Sequence, residues 1–354
     1  MVREFSEYIN NTTALTITQI SKRIKTDAKC LWDAAIAQVQ GGNLDDRPLY
    51  WARNKMQVRL KRHFLFENDI DFEKSIVIKG TELAKIITLF EEKSRNYTGI
   101  DFSKAPKGCK KVLVTGFDPF LLNSIDHPNK SNYNILQSNP AGVVALALAN
   151  NKKLGANIQS MIVPVRYSDF DGSNDNTKGE GGGIIEKYFK PYINQVDMII
   201  TVSQALPDEY NIDVFGTLRR GGGDENMNFT RISDSKALTT NLEWIKTTLN
   251  SGFTNIPKVK YEWIYDIFVN GKINPPKVGT KITSGSGSNY LSNEIFYRVG
   301  KMRTELRPSL QTGHFHISKI QDESIGEDLN KLEIKELLEI VKKSLNQGIK
   351  KLKK

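Results

Sequence analysis

The sequence is poor in cysteine: Cys30 and Cys109 are its two thiols in 354 residues. Two cysteines cannot build a disulfide framework or a cysteine-rich zinc site, so a reducing compartment and a cytoplasmic location are expected. Histidine is also scarce, with His63, His127, His314 and His316. No HExxH motif is present, and His314 and His316, two residues apart, offer at most a weak metal pair, so no metal or other cofactor is expected. No apolar run approaches the roughly 18 residues of a membrane span, and the start MVREFSEYINNTT lacks the apolar core of a secretory leader. The glycine run at 179–183 has neither P-loop nor dinucleotide spacing and reads as a flexible surface insert.

What is present supports a folded chain. A hydrophobic fraction of 39% with 25% charged residues gives enough apolar material for one large domain or two ordinary ones. The net charge of +10 could mark an acidic partner, but the lysines are spread along the chain. The one dense run, Lys350, Lys351, Lys353 and Lys354, follows a C-terminal helix, where cations suit the carbonyl end of the dipole. It reads as a solvated tail, and nucleic acid is disfavoured as a partner because no zinc-finger spacing or aromatic RNA-binding strand accompanies it.

Residues 1–105 read as a mainly helical N-terminal extension. Apolar residues at mixed three and four spacings run through 14–39, and Gly41-Gly42-Asn43 makes a turn. Asp45-Asp46-Arg47-Pro48 opens a further helix, with Trp51, Met56, Val58, Leu60 and Phe64 expected inside and Arg53, Lys55, Arg59, Lys61 and Arg62 on a solvated face. From about residue 106 the pattern changes. Apolar runs at 111–115 (KVLVT), 161–165 and 197–202 read as buried strands, separated by helical stretches at 141–149 and 184–189. This alternation predicts an α/β domain over 106–354 with helices on both faces of a sheet, and places ligands beyond the carboxyl ends of the strands.

Three segments beside those strands carry the chemistry. Gly116-Phe117-Asp118-Pro119-Phe120 follows the first strand, and Ser138-Asn139-Pro140 opens the next helix. Downstream, Tyr290-Leu291-Ser292-Asn293-Glu294-Ile295-Phe296-Tyr297 reads as a helix start and Gly313-His314-Phe315-His316-Ile317 as a strand. In this order the segments, over about residues 110–347, resemble pyroglutamyl peptidase I, the cysteine peptidases that remove an N-terminal 5-oxoproline. The Arg-Pro-Leu-Tyr-Trp-Ala-Arg segment at 47–53 resembles an N-terminal extension of some bacterial members.

The resemblance implies a three-layer α/β/α sandwich with a twisted mixed sheet. It implies that Phe117 and Phe120 line an apolar slot for the lactam ring, and that Gln204 lies near the substrate, where a carboxamide can both donate and accept. The family's cysteine falls at Ser292, which as a residue near a helix start also suits an N-cap. A serine nucleophile needs a base, and His316 matches the family histidine. The family's orienting glutamate falls at Phe215, which cannot accept an imidazole proton. Asp213, two positions earlier, is the available substitute.

Three readings follow. The favoured one is a relative that recognises an N-terminal pyroglutamate or a related small lactam with impaired or lost turnover, given Ser292 and Phe215. The alternatives are an active hydrolase using Ser292, His316 and Asp213, and a basic interaction protein with a vestigial pocket. Family members also self-associate, so a homo-oligomer is compatible with each.

Overall fold

A computed structural model of the chain describes all residues except 11–14, 75, 120–121, 123–136, 173–181, 221–239, 241, 263–267, 270–271, 274–284, 286–289, 321–326 and 353–354. Phe120 and His127 therefore lie outside the described residues, as does most of the 179–183 glycine run. The chain divides into two compact units, Met1–Ile100 and Asp101–Lys354.

The first unit is built from helices α1 (Val2–Asn10), α2 (Ile17–Gln40), α3 (Arg47–Lys61) and α4 (Glu82–Ser94), with a short hairpin of β1 (Ile70–Asp71) and β2 (Ile76–Val77) before α4. Thr16 caps α2 through a reciprocal pair with Gln19, and Thr81 caps α4. Along α3 the buried positions are Leu49, Tyr50, Arg53, Met56 and Leu60, and the three-and-four spacing from Leu49 to Leu60 defines one face. This corrects the face expected from sequence. Val58 and Phe64 are exposed, whereas Arg53, assigned to the solvated side, falls on the buried stripe between Leu49 and Met56.

The second unit is α/β. Its strands are β3 (Lys110–Phe117), β4 (Ala156–Val163), β5 (Met198–Gln204), β6 (Asn211–Asp213), β7 (Phe215–Thr217), β8 (Trp244–Lys246), β9 (Lys260–Glu262), β10 (Phe268–Val269), β11 (Lys272–Ile273) and β12 (Gln311–Ile317). The helices are α5 (Pro140–Leu148), α6 (Tyr167–Asp171), α7 (Ile184–Phe189), α8 (Leu291–Leu306) and α9 (Glu327–Lys350). Six strands form one sheet in the order β4-β3-β5-β12-β6-β9. β4, β3, β5 and β12 run parallel, β6 is antiparallel to β12, and β9 is parallel to β6. The pairs β7/β8 and β10/β11 are separate antiparallel ladders.

Strand periodicity assigns the two faces. A Cβ on Gly116 would lie 2.1 Å from the Ala141 carbonyl oxygen, so this face of β3 packs directly on α5, and only glycine permits the approach. The next residue points the other way, where Phe117 stacks on Phe170 of α6 with ring centroids 6.4 Å apart. On β12 the Phe296 ring of α8 lies 6.2 Å from His314, and His314 is in register with Thr201 of β5, to which it is bonded. Helices thus cover both faces, α5 on one and α6 and α8 on the other, and β3, β4, β5 and β12 read as buried runs because of it. Gly183 is a correction to the surface-insert reading: it is buried at the start of α7, and a Cβ there would sit 1.9 Å from the Phe170 carbonyl oxygen.

Candidate active site

β12 supplies two histidines to the α8 face of the sheet, because period two puts His314 and His316 on one side. Their rings meet edge to face at 4.6 Å, yet their surroundings differ. His314 is fully buried, with Nδ1 2.7 Å from Thr201 Oγ1 and Nε2 2.6 Å from Ser203 Oγ. Burial, together with the neighbouring His316, pushes its pKa well below the ordinary histidine range, so it is a neutral ring bridging two hydroxyls.

His316 has a carboxylate instead. Its Nδ1 lies 2.9 Å from Asp213 Oδ1. Asp213 stands opposite His314 in the β12/β6 register, and its side chain crosses diagonally to His316, two residues along the same face. The carboxylate accepts from Nδ1–H, which leaves Nε2 as the basic nitrogen. Among the described residues nothing bonds to Nε2. Burial disfavours the imidazolium, but the charge and hydrogen bond of Asp213, with Glu262 and Glu209 farther off, outweigh it and raise the His316 pKa. Burial in turn pushes Asp213 upward against the pull of His316.

Phe215, aligned by sequence with the orienting acid, is elsewhere. The chain changes partners at Val214, so Asp213 ends a strand of the main sheet while Phe215 begins the β7/β8 ladder. There Phe215 packs edge-on against Trp244 at 5.3 Å, within a cluster that includes Val214 and Tyr261. The period-two argument that linked Asp213 to Phe215 does not hold across that change, and the carboxylate beside the imidazole is Asp213.

Ser292 lies in the first turn of α8 and is 8% exposed. Tyr290 is the residue at the cap position, so Ser292 is not the N-cap suggested by its residue type. Among the described residues its hydroxyl makes no hydrogen bond, to His316 or to any other group. The start of α8 is held by its neighbours. Asn293 accepts from the Thr217 amide at 2.8 Å and donates to the carbonyls of Thr217 and Arg219 at 2.9 Å each. Glu294 is fully buried and bonded to Arg220 at 2.7 Å and to Arg298 at 2.8 Å. Asp171 joins both arginines, taking two bonds from Arg220 at 2.8 and 2.9 Å and one from Arg298 at 3.1 Å, and Arg298 also reaches Glu186 at 2.9 Å. Sequence reading missed this buried network. Its one visible sign, Glu294 and Arg298 four apart on a helix, is indistinguishable in sequence from an ordinary surface pair.

Two other site residues are at the carboxyl ends of the parallel strands. Phe117 ends β3 and is buried against Phe170. Gln204 ends β5, and its buried carbonyl oxygen, Oε1, has no hydrogen-bond partner among the described residues. An orphan buried acceptor of this kind calls for a donor from a ligand or water. Gln137 carries a second such oxygen. It is buried just before Asn139, whose side chain is bonded to the Asp118 carbonyl at 2.8 Å beyond the end of β3. Gln137 had no signal in the sequence beyond its place before the helix.

Asp213, His314 and His316 bring donor atoms within 4.8 Å of one another. Those atoms are already engaged: both His314 nitrogens with hydroxyls and His316 Nδ1 with Asp213. The set fits a hydrogen-bonded acid–base pair rather than a coordination shell, which would present free lone pairs. Of the two thiols, Cys30 is in the first unit and Cys109 precedes β3.

The fold and this geometry define an α/β protein with a buried histidine–aspartate pair at the carboxyl end of a mainly parallel sheet. Residues 111–260 match the family model described as PA0049, C-terminal domain, and residues 1–68 match that of the PA0049 N-terminal domain. The chain is 27% identical over 232 residues to an uncharacterised protein, PA0049, of Pseudomonas aeruginosa; the match spans 59% of this chain and 38% of that relative's length. Among solved structures, a mutant pyrrolidone carboxyl peptidase from Pyrococcus furiosus aligns over 69% of this chain and all of its own, with 18% identity and a TM-score of 0.47. Pyroglutamyl peptidase I from Bacillus amyloliquefaciens aligns over 69% of this chain and 96% of its own, with 17% identity and a TM-score of 0.45. Among the described residues no helix is long and apolar enough to cross a membrane.

Proposed function

We propose that this chain is a pyroglutamyl-peptidase-like hydrolase in which Ser292 is the nucleophile, His316 its base and Asp213 the group that orients the base. The observation that carries the reading is the 2.9 Å contact between His316 Nδ1 and Asp213, on a strand that packs against α8. It removes one of the two reasons for expecting lost turnover, since the acid missing at Phe215 is supplied from Asp213.

The chemistry runs as in other serine–histidine–acid sites. Ser292 Oγ attacks the carbonyl that joins the pyroglutamyl ring to the next residue, and His316 Nε2 takes the hydroxyl proton. Backbone amides in the first turn of α8 hold the oxyanion. The imidazolium, stabilised by Asp213, then gives its proton to the leaving amine. Water, deprotonated by the same nitrogen, releases the acyl group from Ser292. The substrate is an N-terminal pyroglutamate or a related small lactam: the ring lies against Phe117, and its N–H answers the orphan Gln204 oxygen.

A second reading is favoured by one observation, the absence of a hydrogen bond between Ser292 and His316 among the described residues. It keeps lactam recognition and drops turnover. Hydrolysis of a pyroglutamyl-aminomethylcoumarin substrate by wild type, Ser292→Ala and Ser292→Cys separates the two. The hydrolase reading expects release of the fluorophore by wild type, loss in Ser292→Ala and retention or gain in Ser292→Cys. Equal background rates in wild type and Ser292→Ala reject it, and saturable binding of pyroglutamate under those conditions supports recognition without turnover.

A further inference from the structure

We infer that Glu262 is a positioning residue of this site, controlling the charge state of His316 from the strand on the far side of Asp213. The inference deepens the reading of His316 as a base, and it rests first on register. β9 lies parallel to β6 with Asp213 paired to Glu262, so the two carboxylates occupy neighbouring strands, about 4.8 Å apart, on one face of the sheet. The pairing is fixed on both sides. The Lys260 amide donates to the Tyr210 carbonyl at 3.0 Å, and the Val214 amide donates to the Glu262 carbonyl at 3.0 Å.

Two carboxylates and one imidazole on a common face cannot all titrate independently. Like charges side by side oppose the second ionisation, whereas the imidazolium favours it. Asp213 is fully buried beneath His316, while Glu262 is half-buried. Glu262 is therefore the member that exchanges a proton with solvent. Burial first, then the charge of Asp213 and of Glu209, push its pKa up to about 7 against the opposing pull of His316 and a hydrogen bond from Asn211. Lys260, two residues back on the same strand face, is exposed.

The consequence is directional. Below neutrality Glu262 is protonated, and the charges that favour the His316 imidazolium are those of Asp213 and, more weakly, Glu209. Above neutrality Glu262 ionises, adds a further negative charge on that side, and keeps His316 protonated to higher pH. A general base must be neutral to act, so Glu262 sets where in pH the base becomes available.

The test is an NMR titration of His316, whose ring signals are assignable among four histidines by comparison with His316→Asn. Glu262→Gln is expected to move the His316 midpoint to lower pH and to remove the second inflection of the coupled curve, while Glu262→Asp restores the wild-type shape. An unchanged midpoint and shape in Glu262→Gln overturns the inference. In the wild-type protein the side-chain carboxyl carbon of Glu262 is expected to titrate near neutrality, and a midpoint in the ordinary glutamate range overturns it without any variant. These signals read no turnover, so a negative result here leaves the Ser292 assay standing and the reverse also holds.

Discussion

Asp213 and Phe215 are two residues apart, yet a single change of strand partner separates their roles. Asp213 ends β6, inside the main sheet beside β12, and Phe215 starts the next ladder against Trp244. Replacing Asp213 with Asn keeps the shape but offers Nδ1 a partner that no longer carries charge, and by analogy with orienting-acid loss in serine proteases it should lower kcat by about 10⁴. The assay that checks it is the coumarin release already described, with folding confirmed by circular dichroism. His316 is legible in the sequence from the motif order and Asp213 from a period-two link to Phe215; the structure places the two within 2.9 Å, but by a β6/β12 pairing that the link to Phe215 does not describe. Glu262 is not legible, since its place beside Asp213 depends on a pairing between segments about 50 residues apart that no local pattern encodes.

Helix α8 was legible as a helix, but the anchor of its first turn was not. Arg220, Asp171, Glu294, Arg298 and Glu186 come from four separate stretches of chain, and each is an unremarkable charged residue until the fold buries them together. Removing one partner from such a network leaves uncompensated buried charge. Arg220→Met, which leaves the buried Asp171 and Glu294 to share Arg298, is expected to destabilise the protein by about 3–5 kcal/mol in urea denaturation. The β3/α5 contact offers a steric counterpart. Gly116→Ala would place its Cβ 2.1 Å from the Ala141 carbonyl oxygen, so α5 must shift away from the sheet, at a cost of about 1–3 kcal/mol by the same measurement. That glycine reads from sequence only as the end of a strand; the close helix behind it does not.

At the scale of the whole molecule, the buried ionisable groups bend stability with pH in two directions. His314 is held neutral in the folded chain, while the unfolded chain protonates it near its ordinary value of 6.5. The unfolded state then binds more protons, and stability falls as pH drops below about 6.5, by up to about 1.4 kcal/mol per unit. Glu262 acts oppositely. Its folded pKa of about 7 lies above the ordinary 4.5, so the folded state binds more protons in that window and stability is lost as pH rises through it. Urea midpoints measured from pH 4.5 to 8 are expected to peak inside this range, and Glu262→Gln should flatten the fall on its alkaline side. The chain divides into compact units at Ile100, and the sequence shifts from helical spacing to alternating strand and helix near residue 106. The positive charge that first suggested an acidic partner has a structural share in buried Arg53, Arg220 and Arg298, which serve the interior rather than a surface.

In the proposed hydrolase, Ser292 is made nucleophilic by His316 and Asp213. A fluorophosphonate probe reacts with an activated serine hydroxyl and spares ordinary ones, and peptide mass spectrometry locates the adduct. This mechanism predicts a single adduct on Ser292 in the wild-type protein that is lost in His316→Gln and sharply reduced in Asp213→Asn. A folded wild-type protein in which Ser292 stays unmodified, or is modified equally in His316→Gln, contradicts it.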